Sequence, residues 1–308
     1  MSLYSLPDPS WHDQEISQEA HAEFAEHERA IASHKEALKA SEAELLDMAS
    51  ALNKSAADIN KENEALNAAT DERVALAEAR RANRVDINDL EAARQLTLMG
   101  NAEWVSGGTS GNYTDYNPYT GGGSVHRHNE GGVTQGSYRY DLDARKLHPY
   151  ARARGDGVGI TDDNDVTTYA HFNFWFLAGR IGHVRALVPY RASGNFDIYA
   201  NDKWYNSKEA KLNLSIRLRL YQHGTTVKTD FVSDTIFSLA DDNINSDGRI
   251  DRSGSLYSPS LAVGANRWAR ALVQVRAHVE TEGGGSSAIL DFRKPDYIRV
   301  PYVRFDFS

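Results

Sequence analysis

Two histidines stand two residues apart in SVHRHNEGG, at His126 and His128. In an extended chain residues i and i+2 point to one side, so the two imidazoles could grip one transition metal. Such a metal takes four to six ligands, and nothing nearby in the chain supplies a second half-site. A second metal-like stretch is DDNINSDGRIDRSG, starting at Asp241. Asn243, Asn245, Asp247, Gly248 and Asp251 fall at positions one, three, five, six and nine of a calcium loop. There, oxygens two residues apart converge on a hard cation and glycine permits the sharp turn. Position one is Asn where Asp is usual, and position twelve is Gly254 where a bidentate Glu belongs. The plain alternative is an Asx-rich surface turn.

A third stretch, YANDKWYNSKEA, sets Trp204 and Tyr205 in a polar segment between two strand-like runs. An exposed indole offers an apolar face to sugar C–H groups, with Asn201, Asp202 and Asn206 at hand for hydroxyls. The competing reading is a Trp that caps a core. Reaction chemistry has less to stand on. The chain holds no G-x-S-x-G elbow, H-E-x-x-H or phosphate loop. The carboxylate pair Asp162 and Asp163 reads as a solvated loop, so the expectation is a protein that is not an enzyme.

Composition narrows the field further. A net charge of −9 disfavours a nucleic-acid surface, which needs a basic face. With no cysteine there is neither disulfide nor thiolate chemistry. No apolar run is long enough to span a membrane, and MSLYSLPDPSWHD lacks the basic and apolar regions of a secretory signal. The expectation is synthesis in a cytoplasm.

The elements that must position these groups fall into two halves. Between Pro9 and Gly100 there is neither Gly nor Pro, which over about ninety residues points to continuous helix. Phe24, Ile31, Leu38, Leu45, Leu52, Ile59 and Leu66 each follow the last by seven, the mark of a left-handed coiled coil. Val74, Val85 and Leu96 then stand eleven apart, which straightens or reverses the supercoil. A helix over 13–98 would be about 130 Å long at 1.5 Å per residue, too long to pack on its own chain. A parallel homo-oligomer is expected, and mixed Ile and Leu in the seam lean towards a trimer.

From Gly100 to Tyr138 the chain is dense in Gly, Tyr, Asn and Ser, read as a tightly wound neck. Beyond it strands dominate: Leu212, Leu214, Ile216, Leu218 and Leu220 alternate with polar residues, as do Ala269, Ala271, Val273, Val275 and Ala277. About eight strands separated by Gly, Asn and Asp suit an antiparallel β-sandwich, jelly-roll-like, although other Greek-key orders remain open. The expected class is α + β in separate domains: a leader over 1–12, a coiled-coil shaft over 13–98, a neck over 99–140 and a sandwich over 141–308.

This order of leader, shaft, neck and terminal β-domain resembles the trimeric fibres and spikes of bacteriophage virions. The resemblance covers the whole chain and lies in architecture, without a close sequence match. It implies a structural virion protein, made in the bacterial host cytoplasm. Leu3, Tyr4, Leu6 and Trp11 would dock on a capsid, collar or tail protein, and the head would attach to the host surface, probing glycans through Trp204, Tyr205 and Asn206. The alternatives are a head or neck decoration with no specific receptor, or a non-viral adhesin. In some such fibres and spikes paired histidines of this spacing hold iron, and around a threefold axis His126 and His128 would supply six imidazoles. The cofactors expected are therefore that axial transition metal and calcium at Asn243, Asn245, Asp247 and Asp251.

Overall fold

The computed structural model describes residues 18–26, 28–30, 32–33, 56–82, 113–155, 163–201 and 208–308. Two helical stretches precede the strands: α1, within 18–33, and α2, Ala56–Ala82. The strands follow as β1 (Tyr113–Tyr116), β2 (Thr120–Asn129), β3 (Val133–Ser137), β4 (Tyr140–Asp141), β5 (Lys146–Leu147) and β6 (Tyr150–Arg154). Next come β7 (Asp163–Ala178), β8 (Gly182–Asn201), β9 (Glu209–Gln222), β10 (Val232–Asp241) and β11 (Asn243–Tyr257). The chain ends with β12 (Leu261–Val263), β13 (Arg267–Glu282), β14 (Ser287–Asp291), β15 (Tyr297–Arg299) and β16 (Val303–Phe307).

The alternating runs seen in the sequence become the centre of a sandwich. Leu212, Leu214, Ile216, Leu218 and Leu220 of β9, and Ala271, Val273 and Val275 of β13, turn inward and are fully buried. They meet Val184, Val188, Ala192 and Ile198 of β8 and Leu290 of β14 in one core. A smaller sheet runs in the order β10-β9-β13-β7-β2. The larger sheet is built on β8, which pairs with β11 and β12 along one edge. Its other edge is shared by β16, β15 and β14 in succession, beyond which lie β1, β5 and β6. All recorded pairings are antiparallel, and both sheets place polar residues on their outer faces.

Three departures from the sequence reading follow from pairing partners. The stretch expected as a neck contributes β1, β2 and β3, so the sandwich already includes residues from Tyr113 onward. The stretch expected as a calcium loop is β11, matched to β8 from Asn243 through Tyr257. Asn243, Asn245, Asp247 and Asp251 are all exposed on one side of that strand. Alternate residues of a strand stand about 7 Å apart, so these oxygens do not converge on a cation as a loop would make them. Finally, the described helices lie on the sandwich. Ala20 and Phe24 of α1 are buried, Phe24 against β2, and Val74 of α2 is buried with Tyr150 and Ile289. Ile31, Leu38, Leu45 and Leu52 lie outside the described residues; Ile59 and Leu66 fall within α2, their side chains undescribed.

Candidate functional site

The outer face of the larger sheet is a grid set by strand register. Ile289 of β14 stands between Arg152 of β6 and Asp197 of β8, and Asp197 in turn stands opposite Asp247 of β11. One row along, Asp291 stands between Tyr150 and Asn195, and Asn195 opposite Arg249. Ala151, Ala153, Ala288, Leu290 and Ile198, the intervening residues, are fully buried inward. The outward set therefore mixes arginine, carboxylate, amide and phenol within a few strand spacings of about 4.8 Å.

Helix α2 crosses this grid through complementary charges. Asp71 pairs with Arg152 and with Arg154, which draws its carboxyl below the usual range although burial alone would raise it. The Arg73 guanidinium donates to Asp197 and to the Asn245 amide oxygen, both at 2.9 Å. Glu78 lies 3.4 Å from Arg293. Between helix and sheet a cleft of about 420 Å³ remains, a volume typical of small-molecule sites. Val74, Leu76, Tyr150 and Ile289 supply its apolar lining; Asn195, Asp247, Arg249 and Asp291 supply its polar one.

The polar groups are held in place. Arg293 lies 3.7 Å above the Tyr150 ring and grips Asp291 through Nε at 3.0 Å and Nη2 at 2.7 Å. Arg249 Nη2 donates to Ser193 Oγ at 2.7 Å and to Asp296 at 3.1 Å. Burial raises the Asp197 carboxyl above its ordinary range, with Asp247 adding to this and Arg73 opposing it. Burial likewise pushes the Tyr150 phenol up. Asp247 itself stands exposed. Such a surface offers fixed donors and acceptors beside a ring, which is the chemistry of hydroxyl-bearing ligands.

The histidine pair lies on the other side of the molecule, on the outer face of the smaller sheet. β2 is extended through residues 120–129, as two rings on one side require. The rings find separate partners. His126 stacks on Phe24 with centroids 5.2 Å apart and has Nε2 3.2 Å from Ser124 Oγ. Burial holds its pKa below the usual value, and nearby His21 lowers it further. His128 Nε2 lies 3.1 Å from Glu130, with Glu28 of α1 on its far side at 3.7 Å. Among the described residues no three His, Asp or Glu side chains gather closely enough to hold a metal ion. With the described residues of one chain alone, the pair does not make a metal centre.

The remaining residues singled out by sequence divide simply. Leu3, Tyr4, Leu6, Trp11, Trp204, Tyr205 and Asn206 lie outside the described residues. Asp247 and Asn245, read as calcium ligands, line the cleft and bind Arg73 respectively. Tyr150, Asn195, Asp197, Arg249 and Arg293 gave no signal, because only cross-strand register brings them together.

No known protein family matches the chain, and no curated protein does. Among solved structures, the carbohydrate-binding module TmCBM61 in complex with β-1,4-galactotriose is 9% identical with a TM-score of 0.22, covering 57% of this chain and 88% of that one. The enzymatically active domain of bacteriophage CBA120 tailspike protein 4 is 8% identical with a TM-score of 0.23, covering 58% of this chain and 19% of that one. Eiger TNF from S. frugiperda is 12% identical with a TM-score of 0.18, covering 64% and 92%. Superpositions this loose carry no functional argument.

Proposed function

We propose that this chain is a fibre-type structural protein of a bacteriophage virion whose sandwich attaches to host-surface glycans, with the sugar held in the cleft beneath α2. The observation that carries the binding role is the cleft: an apolar lining beside fixed amide, carboxylate and guanidinium groups, in a volume that suits a short oligosaccharide. The proposed site binds and does not hydrolyse, since Asp291 is committed to Arg293 and Asp197 to Arg73. The order β6-β14-β8-β11 over β7-β13-β9-β10 supports a jelly-roll reading of the sandwich.

The virion role, a docking leader and a homotrimeric shaft rest on the sequence architecture. Phe24 is engaged with its own chain's β2, so the proposed trimer seam is the row from Ile31 to Leu66. Sedimentation of the full chain tests the trimer: an elongated three-chain species is expected, and a compact monomer overturns it. For attachment, an array of bacterial surface oligosaccharides probed with the full chain should show retained glycans whose binding Asp247→Ala weakens about ten-fold. No retained glycan leaves a decoration without a receptor, and release of shortened sugar would make the protein an enzyme.

A further inference from the structure

The Gly121-Gly122-Gly123 run sits inside a strand, where glycine loses more entropy than any other residue and packs no side chain. What the run permits is a close approach on the edge strand β2. A Cβ at Gly121 would lie 2.7 Å from Cδ2 and 2.9 Å from Cγ of Tyr140. One at Gly123 would lie 2.7 Å from the same two atoms of Tyr138. The two tyrosines, themselves two residues apart, thus rest their rings against bare backbone at two alternate glycines. Between them Arg139 is pinned by reciprocal backbone hydrogen bonds with His148, at 2.9 and 3.3 Å.

The rings are seated yet not covered. Tyr138 and Tyr140 are 36% and 44% exposed, and Tyr119, at the start of the same edge, is 43% exposed. A core-capping tyrosine would turn its ring away from water, and a strand built only for pairing would carry β-branched residues here. We infer that the edge of the smaller sheet is a second glycan site, in which Tyr140 and Tyr138 stack on successive rings of a neutral sugar chain running along β2. The glycines they rest on are alternate residues of β2, about 7 Å apart. Phenol faces accept sugar C–H groups, and their hydroxyls bond sugar hydroxyls. That chemistry suits a neutral, extended glycan.

This site is independent of the cleft, which lies on the other sheet, and one experiment separates them. The full chain is run by affinity electrophoresis through gels holding hydroxyethyl cellulose, a β-linked glucan, or pullulan, an α-linked one. Retardation by at least one polymer is expected, weakened about ten-fold or more in Tyr138→Ala/Tyr140→Ala with the melting temperature unchanged, and kept by Asp247→Ala. Should the double variant fold poorly, the ultraviolet difference spectrum of Asp247→Ala, whose cleft is weakened, decides: saturating polymer must still perturb tyrosine absorbance. No retardation, an undiminished double variant, or an unperturbed tyrosine spectrum overturns the second site. Loss in Asp247→Ala alone would instead leave the cleft as the sugar site.

Discussion

The two outer faces of the sandwich are both crossed by helix, but they close differently. On the smaller sheet α1 is tied down by ion pairs around a buried ring. Glu19 reaches Arg219 at 2.9 Å and also Lys228, Glu23 reaches Arg217 at 2.9 Å, and Phe24 fills the space over His126. Burial tends to raise the Glu19 carboxyl, but Lys228 and Arg219 more than offset it and bring it below its usual range. On the larger sheet α2 makes comparable ion pairs and buries Val74, yet leaves a cleft beside it. The difference lies in side-chain size at the centre. An aromatic ring fills the gap between helix and sheet, whereas a valine spans only part of it. Exposed ion pairs contribute about 0–1 kcal/mol each, so the apolar anchor decides how firmly each helix sits.

The comparison breaks most sharply at Val74. Val74→Asp would set a carboxylate against Tyr150 and Ile289, at a cost of about 3 kcal/mol or more. The expected result is release of α2: faster hydrogen exchange over 56–82, with the sandwich strands still protected. Unchanged exchange over 56–82 would show that the ion pairs hold the helix without the anchor.

Phe24→Ala should cost about 2 kcal/mol of buried aromatic surface and loosen α1 alone. It should also free His126, whose depressed pKa would rise towards the ordinary value in an NMR titration. The sign for the unaltered protein follows. Above about pH 6.5 His126 is neutral whether α1 is docked or released. Below that the released state takes the proton first, so docking weakens as pH falls through the lowered pKa.

A smaller effect sits deeper on the same face. Asp165 is pushed up to about 8 by burial first, then by Glu280, Glu28 and Asp163. It is therefore mostly protonated at neutral pH, and its stabilising share is lost as pH rises through about 8. Asp165→Asn should raise the melting temperature at pH 6, where the unfolded carboxyl is already ionised, and raise it further above pH 9. An equal loss at both values would show that the charged form is the one the fold needs.

Much of the sandwich was legible because its central strands carry their burial in their spacing. The β9 and β13 alternations mark the inner face directly, since every second residue meets the core. The residues of β8 read as two strand-like runs, HVRALVPY and NFDIYA, with Gly194 between them. That glycine is no break: a Cβ there would lie 2.3 Å from the Phe292 ring, so the residue makes room for a neighbour. β11 was misread for a related reason. Its Asn, Asp and Gly content favours turns, but the long pairing with β8 holds it extended against local preference. The cleft was illegible altogether, because Tyr150, Asn195, Arg249 and Asp291 meet only through the register of four strands.

The central claim is that the face under α2, and not the one under α1, is where the cleft sugar binds. Its most direct test is a calorimetric titration of the best-retained array glycan into the full chain and two variants, one from each face. Asp247→Ala, on the cleft, should weaken binding about ten-fold, while Glu23→Gln, under α1, should leave it unchanged. Equal affinity in all three proteins, or a loss confined to Glu23→Gln, would contradict the account.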